Sequence, residues 1–382
     1  MKDVTRLNNP YGDDKAFDGC SIFGVMDTSG ASINASVAIE AIDLMRDRDN
    51  GLGGGFAGYG IYPEHPEEYA FHVMYASREG RRIGEEFLAE SFTIEKTEQM
   101  DVDPSAVRDA PEMVRYFISL SSDKVRDEDP EQYIADRQMT INTELPDSFV
   151  FSAGKNMGVF KGVGHPFDIA RFFRLDQYNG YMWTAHGRFP TNTPGWWGGA
   201  HPFSLLDWTV VHNGEISSYG INMRFLEQYG YVCALQTDTE VVTYAVDLLV
   251  RRHHIPMPIA ARVLAAPFWN DMPHMDDAEG RMMQTLRMTY SGLLMNGPFT
   301  IIIGRHGEMV GLTDRIRLRP LVVATAGSKV FLSSEESAIR LVEPELDATW
   351  IPVGGHPVIA RLGQIPNEDE TWTAGEVIAG AH

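Results

Sequence analysis

The sequence predicts an α+β protein, a layered sandwich of sheets flanked by helices, with a small βαββαβ module set into the chain. Three observations carry this expectation. Strand-like apolar runs dominate both ends of the 382-residue chain, and helical periodicity lies between them. Residues 69–162 repeat a strand–helix–strand rhythm of their own. The 43% hydrophobic and 22% charged composition is that of an ordinary globular protein, with no apolar run near the roughly 18 residues needed to cross a membrane.

Taken in order, MKDVTRLNNPYGDDKAF lacks the apolar core of a secretory signal. SIFGVMD after Cys20 reads as a strand, and INASVAIEAIDLMRDRD as an amphipathic helix with apolar residues three and four apart. In RDNGLGGGFAGYGIYP, Gly53, Gly55 and Gly58 match G-x-G-x-x-G, but a helix precedes the match and a strand follows. A dinucleotide fingerprint needs the reverse order, so these glycines read as a connection that lets backbone approach a pocket.

The next stretch alternates: YAFHVMYAS strand, REGRRIGEEFLAES helix, FTIEKTEQM strand, VRYFISLSS strand, DPEQYIADRQMTINTEL helix and SFVFSAGKNMGVF strand. That is the split βαβ order of ferredoxin-like modules, either an elaborated scaffold or a docking surface. Further on, LQTDTEVVTYAVDLLVRR joins an acidic loop to a helix, with Thr237 or Asp238 placed to cap it. GPFTIIIGRHGEMVGLTDR reads as a hairpin turning at Arg305–Glu308, and RLRPLVVATAGSKVFLSSEESAI as two strands and a helix start.

Polar chemistry concentrates in four stretches. Arg188 in HGRFPTNT is the residue type that grips a carboxylate with two parallel hydrogen bonds. Asn213 and Gly214 of HNGE end an apolar strand, where a side-chain amide and a backbone N–H can form an oxyanion hole. Asp238 of TDTE is a fixed anion able to receive an ammonium group. With the thiol of Cys20 these parts describe a pocket for an α-amino acid. His186, His201 and His212 lack the spacing and companions of a zinc site, and His186 and His212 read as packing residues. Cys233 reads as a small buried hydrophobe. Trp196 and Trp197, between glycines, are either a lid over the pocket or a patch covered by a partner chain.

CSIFGV at 20–25, HGRFPT at 186–191, HNGEI at 212–216 and TDTE at 237–240 together resemble the class II, N-terminal-nucleophile glutamine amidotransferases. DRIRLRPL at 314–321 and SSEESAI at 333–339 extend the likeness in the same order, and the details resemble the stand-alone glutaminase subunit of archaeal-type glutamate synthase or of N-methylglutamate synthase. The resemblance implies a four-layer αββα sandwich interrupted by the 69–162 module, so the chain divides into a leader at 1–19, glutaminase parts at 20–68 and 163–382, and the insertion. It implies that Cys20 is the nucleophile and that its own freed α-amine, titrating near 8, is the base. Asn213 and Gly214 take the oxyanion, while Arg188 and Asp238 take the substrate's carboxylate and ammonium, with Thr191 beside them. Glutamine becomes glutamate and ammonia through a Cys thioester.

The family's cysteine is residue one of the mature chain, so activity requires cleavage between Gly19 and Cys20. Retention of the leader would leave a non-catalytic, structural or regulatory subunit. Two cysteines exclude an iron–sulfur cluster and a disulfide framework in this chain, and no FMN or nicotinamide motif is present. The resemblance therefore places FMN and the iron–sulfur cluster in partner synthase subunits of a hetero-oligomer. A net charge of −21 argues against nucleic acid or anionic membrane as partner, and the cytoplasm is the expected compartment.

Overall fold

The fold is that of a computed structural model, which describes residues 19–125, 128–189, 195–235 and 237–369. The principal elements, in chain order, begin with β1 (Ser21–Asp27), α1 (Ser36–Leu44) and β2 (Gly54–Tyr59). Then come β3 (Tyr69–Tyr75), α2 (Arg78–Ser91), β4 (Thr93–Gln99), β5 (Glu112–Ser119), α3 (Pro130–Glu144), β6 (Ser148–Lys155) and β7 (Met157–Gly162). After α4 (Pro166–Phe172) follow β8 (Met182–Gly187), β9 (Phe203–Leu205), β10 (Trp208–Gly214), α5 (Tyr219–Glu227), α6 (Asp238–Asp247), α7 (Met257–Leu264) and α8 (Asp277–Thr289). The chain closes with β11 (Phe299–Arg305), β12 (Glu308–Thr313), β13 (Val322–Ala326), β14 (Lys329–Ser333), α9 (Glu336–Val342), β15 (Ala348–Trp350) and β16 (Val358–Arg361).

Three sheets organise these elements. A seven-stranded antiparallel sheet runs β15-β13-β14-β1-β8-β2-β7, and a five-stranded one runs β9-β10-β11-β12-β16. They face each other so closely that a Cβ on Gly24 of β1 would stand 2.9 Å from the Met309 sulfur, which is why that position has no side chain. Tyr59 stitches them across the gap, its hydroxyl meeting Thr209 Oγ1 at 2.7 Å and Asp207 O at 2.8 Å. Helices α1, α4 and α9 pack on the seven-stranded sheet, and α6 packs on β9 and β10.

The period-two alternation of β10 decides what faces where. Val211 joins the core between the two large sheets, whereas Val210 joins Val242 and Ala245 of α6 on the other face. His212 therefore turns toward α6 and Asn213 toward the seven-stranded sheet.

The third sheet has four antiparallel strands in the order β4-β5-β3-β6. Its helices are well started: Ser77 accepts from Gly80 N–H, and Asp129, followed by Pro130, accepts from Gln132 N–H. Phe71, Val73 and Tyr75 pack with Leu88 and Ile134 of those helices and with Phe92 just past α2, while Met74, Phe117 and Phe151 share the core of the large sheet. The sequence reading assigned SFVFSAGKNMGVF to one strand at the end of the 69–162 module. The chain instead divides it at Asn156, so that β6 closes the small sheet and β7 becomes an edge of the large one. Asn156 makes the break by adopting a left-handed conformation, φ +46°, which Asn tolerates better than most residues.

The Gly53/55/58 stretch enters strand β2, as a packing device. A Cβ on Gly55 would lie 2.3 Å from His201 O, and one on Gly58 2.6 Å from the Trp183 ring. Among the described residues, no helix is long and apolar enough to cross a membrane.

Candidate active site

Cys20 stands immediately before the wholly buried β1, which pairs with β8 so that Ser21 meets Gly187 and Ile22 meets His186. That register delivers Arg188 and Phe189, just past β8, to the thiol. The Phe189 N–H donates to Cys20 Sγ at 3.3 Å. Arg188 is 3% exposed, its N–H donates to Gly53 O at 2.9 Å, and Gly53 leaves the room its side chain occupies. A Cβ on Gly53 would come within 2.9 Å of Arg188 Cδ.

At the end of β10, Asn213 is fully buried and its Nδ2 donates to Ser334 Oγ at 3.1 Å. The same hydroxyl accepts from Ile22 N–H at 3.2 Å, which ties the amide to β1 two residues from the thiol. Asn213 Oδ1 has no partner among the described residues. Because a Ser hydroxyl both donates and accepts, it can hold either end of the amide and leave the other, donor end included, to the pocket. Gly214 adopts φ +145°, and a Cβ there would stand 2.0 Å from Pro298 O, so only glycine fits.

Asp238 opens α6. Thr237 or Asp238 was the expected cap of this helix, but Thr237 makes no side-chain capping bond and Asp238 reaches outward. Its Oδ2 accepts from Ile216 N–H at 2.9 Å, just past the Asn213–Gly214 turn, and Oδ1 accepts from Thr239 Oγ1 at 3.2 Å. Oδ1 also lies 3.3 Å from His212 Nδ1. Burial pushes this carboxyl up, but the His212 ring and the hydrogen bonds outweigh it and hold Asp238 down to about 2.

The thiol goes the other way. Burial pushes Cys20 up to about 11, only partly offset by the Phe189 N–H and the Arg188 and Arg319 charges, while Asp238 raises it further. Cys20, Arg188 and Asp238 thus lie within electrostatic reach of one another, with Asn213 and Gly214 joined to them through Ser334 and Ile216. Thr191 lies outside the described residues.

The histidines pack behind this pocket. His186 Nε2 donates to His212 O at 2.8 Å, and its ring stacks on His201 at 4.0 Å. Burial pushes His186 down to about 3 and His201 well below the usual range. Among the described residues, no group of three or more His, Cys, Asp or Glu is placed to hold a metal ion. Trp197 covers Gly162 and meets Phe172 edge-on, and Trp196 meets Phe149. Cys233 is half-buried rather than enclosed, and burial raises its thiol.

Two arginines at the site carry no role in the sequence reading. Arg48 Nε donates to Cys20 O at 3.3 Å while its Nη1 holds Glu335 at 2.8 Å. The Arg319 guanidinium lies 3.3 Å from where a Gly19 Cβ would be, and Gly19 itself sits at φ +104°. The sequence reading placed Arg48 at the end of an amphipathic helix and Arg319 ahead of a strand, and neither position advertised these contacts. The only available signal for Arg319 and Ser334 was their place within the DRIRLRPL and SSEESAI stretches.

The sequence profile of the family "Glutamine amidotransferases class-II" matches residues 85–231, which include Arg188, Asn213 and Gly214. An uncharacterised protein of Archaeoglobus fulgidus is 52% identical over 357 residues, 91% of this chain and 94% of its own length. The glutamine amidotransferase-like protein GlxB of Rhizobium meliloti is 28% identical, across 57% of this chain and 64% of its own length. A putative glutamine amidotransferase of Methanothermobacter thermautotrophicus is 27% identical, across 55% of this chain and 61% of its own length. The chain thus spans just under two thirds of these two named relatives. A solved glutamine phosphoribosylpyrophosphate amidotransferase from B. subtilis aligns with 90% of this chain and 47% of its own, at 14% identity and a TM-score of 0.46. The chain thus carries a class II glutamine amidotransferase domain match over residues 85–231, and it is similar to proteins named for that family.

Proposed function

We propose that this chain is a glutaminase subunit that hydrolyses glutamine at Cys20 and passes the ammonia to a synthase subunit bearing FMN and an iron–sulfur cluster, as in glutamate synthase. The observation that carries it is the placing of a cation, Arg188, and a fixed anion, Asp238, both within electrostatic reach of one thiol. An α-amino acid presents the two complementary charges. With its carboxylate on Arg188 and its ammonium on Asp238, the side-chain amide extends toward Sγ.

The raised thiol needs a base, and the buried histidines are poor ones. Removal of residues 1–19 supplies it: the freed amine of Cys20 accepts the thiol proton, and the sulfur attacks the glutamine Cδ. The oxyanion is held by the Asn213 amide and the Gly214 N–H. The ammonium returns its proton to the leaving nitrogen, ammonia departs, and water cleaves the γ-glutamyl thioester to glutamate and free thiol. On this reading the two facing sheets with their outer helices are the four-layer αββα sandwich, and the small sheet is a ferredoxin-like insertion. The test is intact mass with glutamine hydrolysis. Active protein should begin at Cys20, and Cys20→Ala should retain the fold and release no glutamate. Activity in protein of full-length mass would overturn the self-base mechanism.

A further inference from the structure

Lys161, on β7, is 1% exposed. Its Nζ donates to Gly198 O at 2.9 Å, in the irregular segment between Trp196 and His201. The rings of Phe203, Phe151 and Phe149 surround it at 4.6, 5.3 and 5.4 Å, presenting negative faces to the ammonium. Glu240 of α6 lines the same small cavity and is itself a backbone anchor, accepting from Leu235 N–H at 2.9 Å and Ala234 N–H at 3.2 Å. A lysine buried this deeply would be replaced by an apolar residue at little cost to packing, so its charge needs a use.

The segment it holds borders the pocket. Ala200 touches the space around Gly53 that Arg188 fills, and His201 Nε2 reaches Thr239 Oγ1 at 2.7 Å, beside Asp238. Glu240 holds the turn that leads into Asp238 from the other side.

We propose that Lys161 and Glu240 are a buried pair of positioning residues that clamp the two loops flanking the amino-acid pocket, so that the grip of Arg188 and Asp238 on glutamine depends on a lysine outside the pocket. The inference rests on the glutaminase reading. Burial pushes Lys161 down to about 7, with Glu240 opposing and Arg188 reinforcing the shift. The charged groups facing Lys161 are thus Glu240 on α6 and Arg188 after β8, with His201 before β9 and Tyr244 on α6 as further titratable groups. Phe149 and Phe151 of β6 and Asn142 of α3 bring no charge.

The experiment measures KM and kcat for glutamine in processed protein beginning at Cys20, as wild type, Lys161→Met and Glu240→Gln, with melting curves alongside. Lys161→Met should raise KM at least about tenfold, the worth of a charge-assisted bond, and leave kcat within about threefold. Wild-type KM should rise about fivefold as pH climbs through the deprotonation of Lys161, and Lys161→Met should abolish that rise. Folded Lys161→Met with KM within about twofold of wild type would sink the proposal. So would a loss confined to kcat. Should Lys161→Met not fold, Lys161→Gln and the wild-type pH profile decide by the same criteria. Absence of hydrolysis in wild type would instead fail the glutaminase reading, so the two failures are distinguishable.

Discussion

Asp238 and Cys20 meet at one pocket from two sheets, and burial acts on both side chains with opposite results. On the five-stranded side, β10 and α6 converge so that Ile216 N–H, Thr239 and His212 all serve the carboxylate, and Asp238 stays ionised down to about pH 2. On the seven-stranded side, one N–H and nearby guanidinium charges fail to offset burial, and Cys20 is pushed up to about 11. Roughly one thiol in ten thousand would be ionised at pH 7 on that footing. On the proposed reading, the substrate grip is set before anything binds, whereas the nucleophile waits for a base. That reading puts the missing base at the Gly19–Cys20 bond, where Arg48 and Arg319 crowd the backbone.

Three measurements break or sharpen this contrast on the proposed reading. Asn213→Ala removes a donor matched to the transition state, and kcat should fall about 10²–10³-fold with KM nearly unchanged. A rise in KM alone would move Asn213 to the gripping side. Asp238→Asn keeps the shape and removes the charge; KM for glutamine should rise roughly 30-fold with kcat less affected. An unchanged KM would mean that the ammonium is held elsewhere. The smallest effect is on stability in acid. A carboxyl held down to about 2 from 3.8 stabilises the fold above about pH 4, and that contribution disappears as pH falls through 2. Its worth is about 2 kcal/mol. Denaturant titrations of wild type and Asp238→Asn should therefore converge by about that amount between pH 5 and pH 2; parallel curves would contradict the carboxylate's role as a pre-set anion.

Much of this arrangement was legible in the sequence, because its parts stand where secondary structure ends. Cys20 precedes a strand, Arg188 follows one, Asn213–Gly214 end one, and Asp238 starts a helix; such positions combine fixed backbone with access. What stayed hidden depends on partners distant in the chain. Arg48 serves the Cys20 carbonyl and Arg319 crowds Gly19, and nothing local marks either arginine. Nothing in VFKG marks Lys161 as buried, yet three aromatic rings and a carboxylate enclose it. Asp238 looked like a helix cap because caps are common, but a backbone N–H from the Asn213–Gly214 turn competed successfully for it. The apolar stretches on either side of Lys155 and Asn156 read as one strand, which disguised a change of sheet.

Asn156 also sets the terms on which the small sheet belongs to the molecule. Its carbonyl accepts from Gly60 N–H at 2.8 Å and its Oδ1 from Tyr62 N–H at 2.7 Å, so the chain is fastened at its exit to the place where it came in. One residue then separates the small sheet from a strand of the large one. There is no tether to lengthen and no hinge to cut. Residues 69–155 are therefore a poor cassette for exchange between homologues: any graft must reproduce that single left-handed knot or lose the edge strand sewn to it.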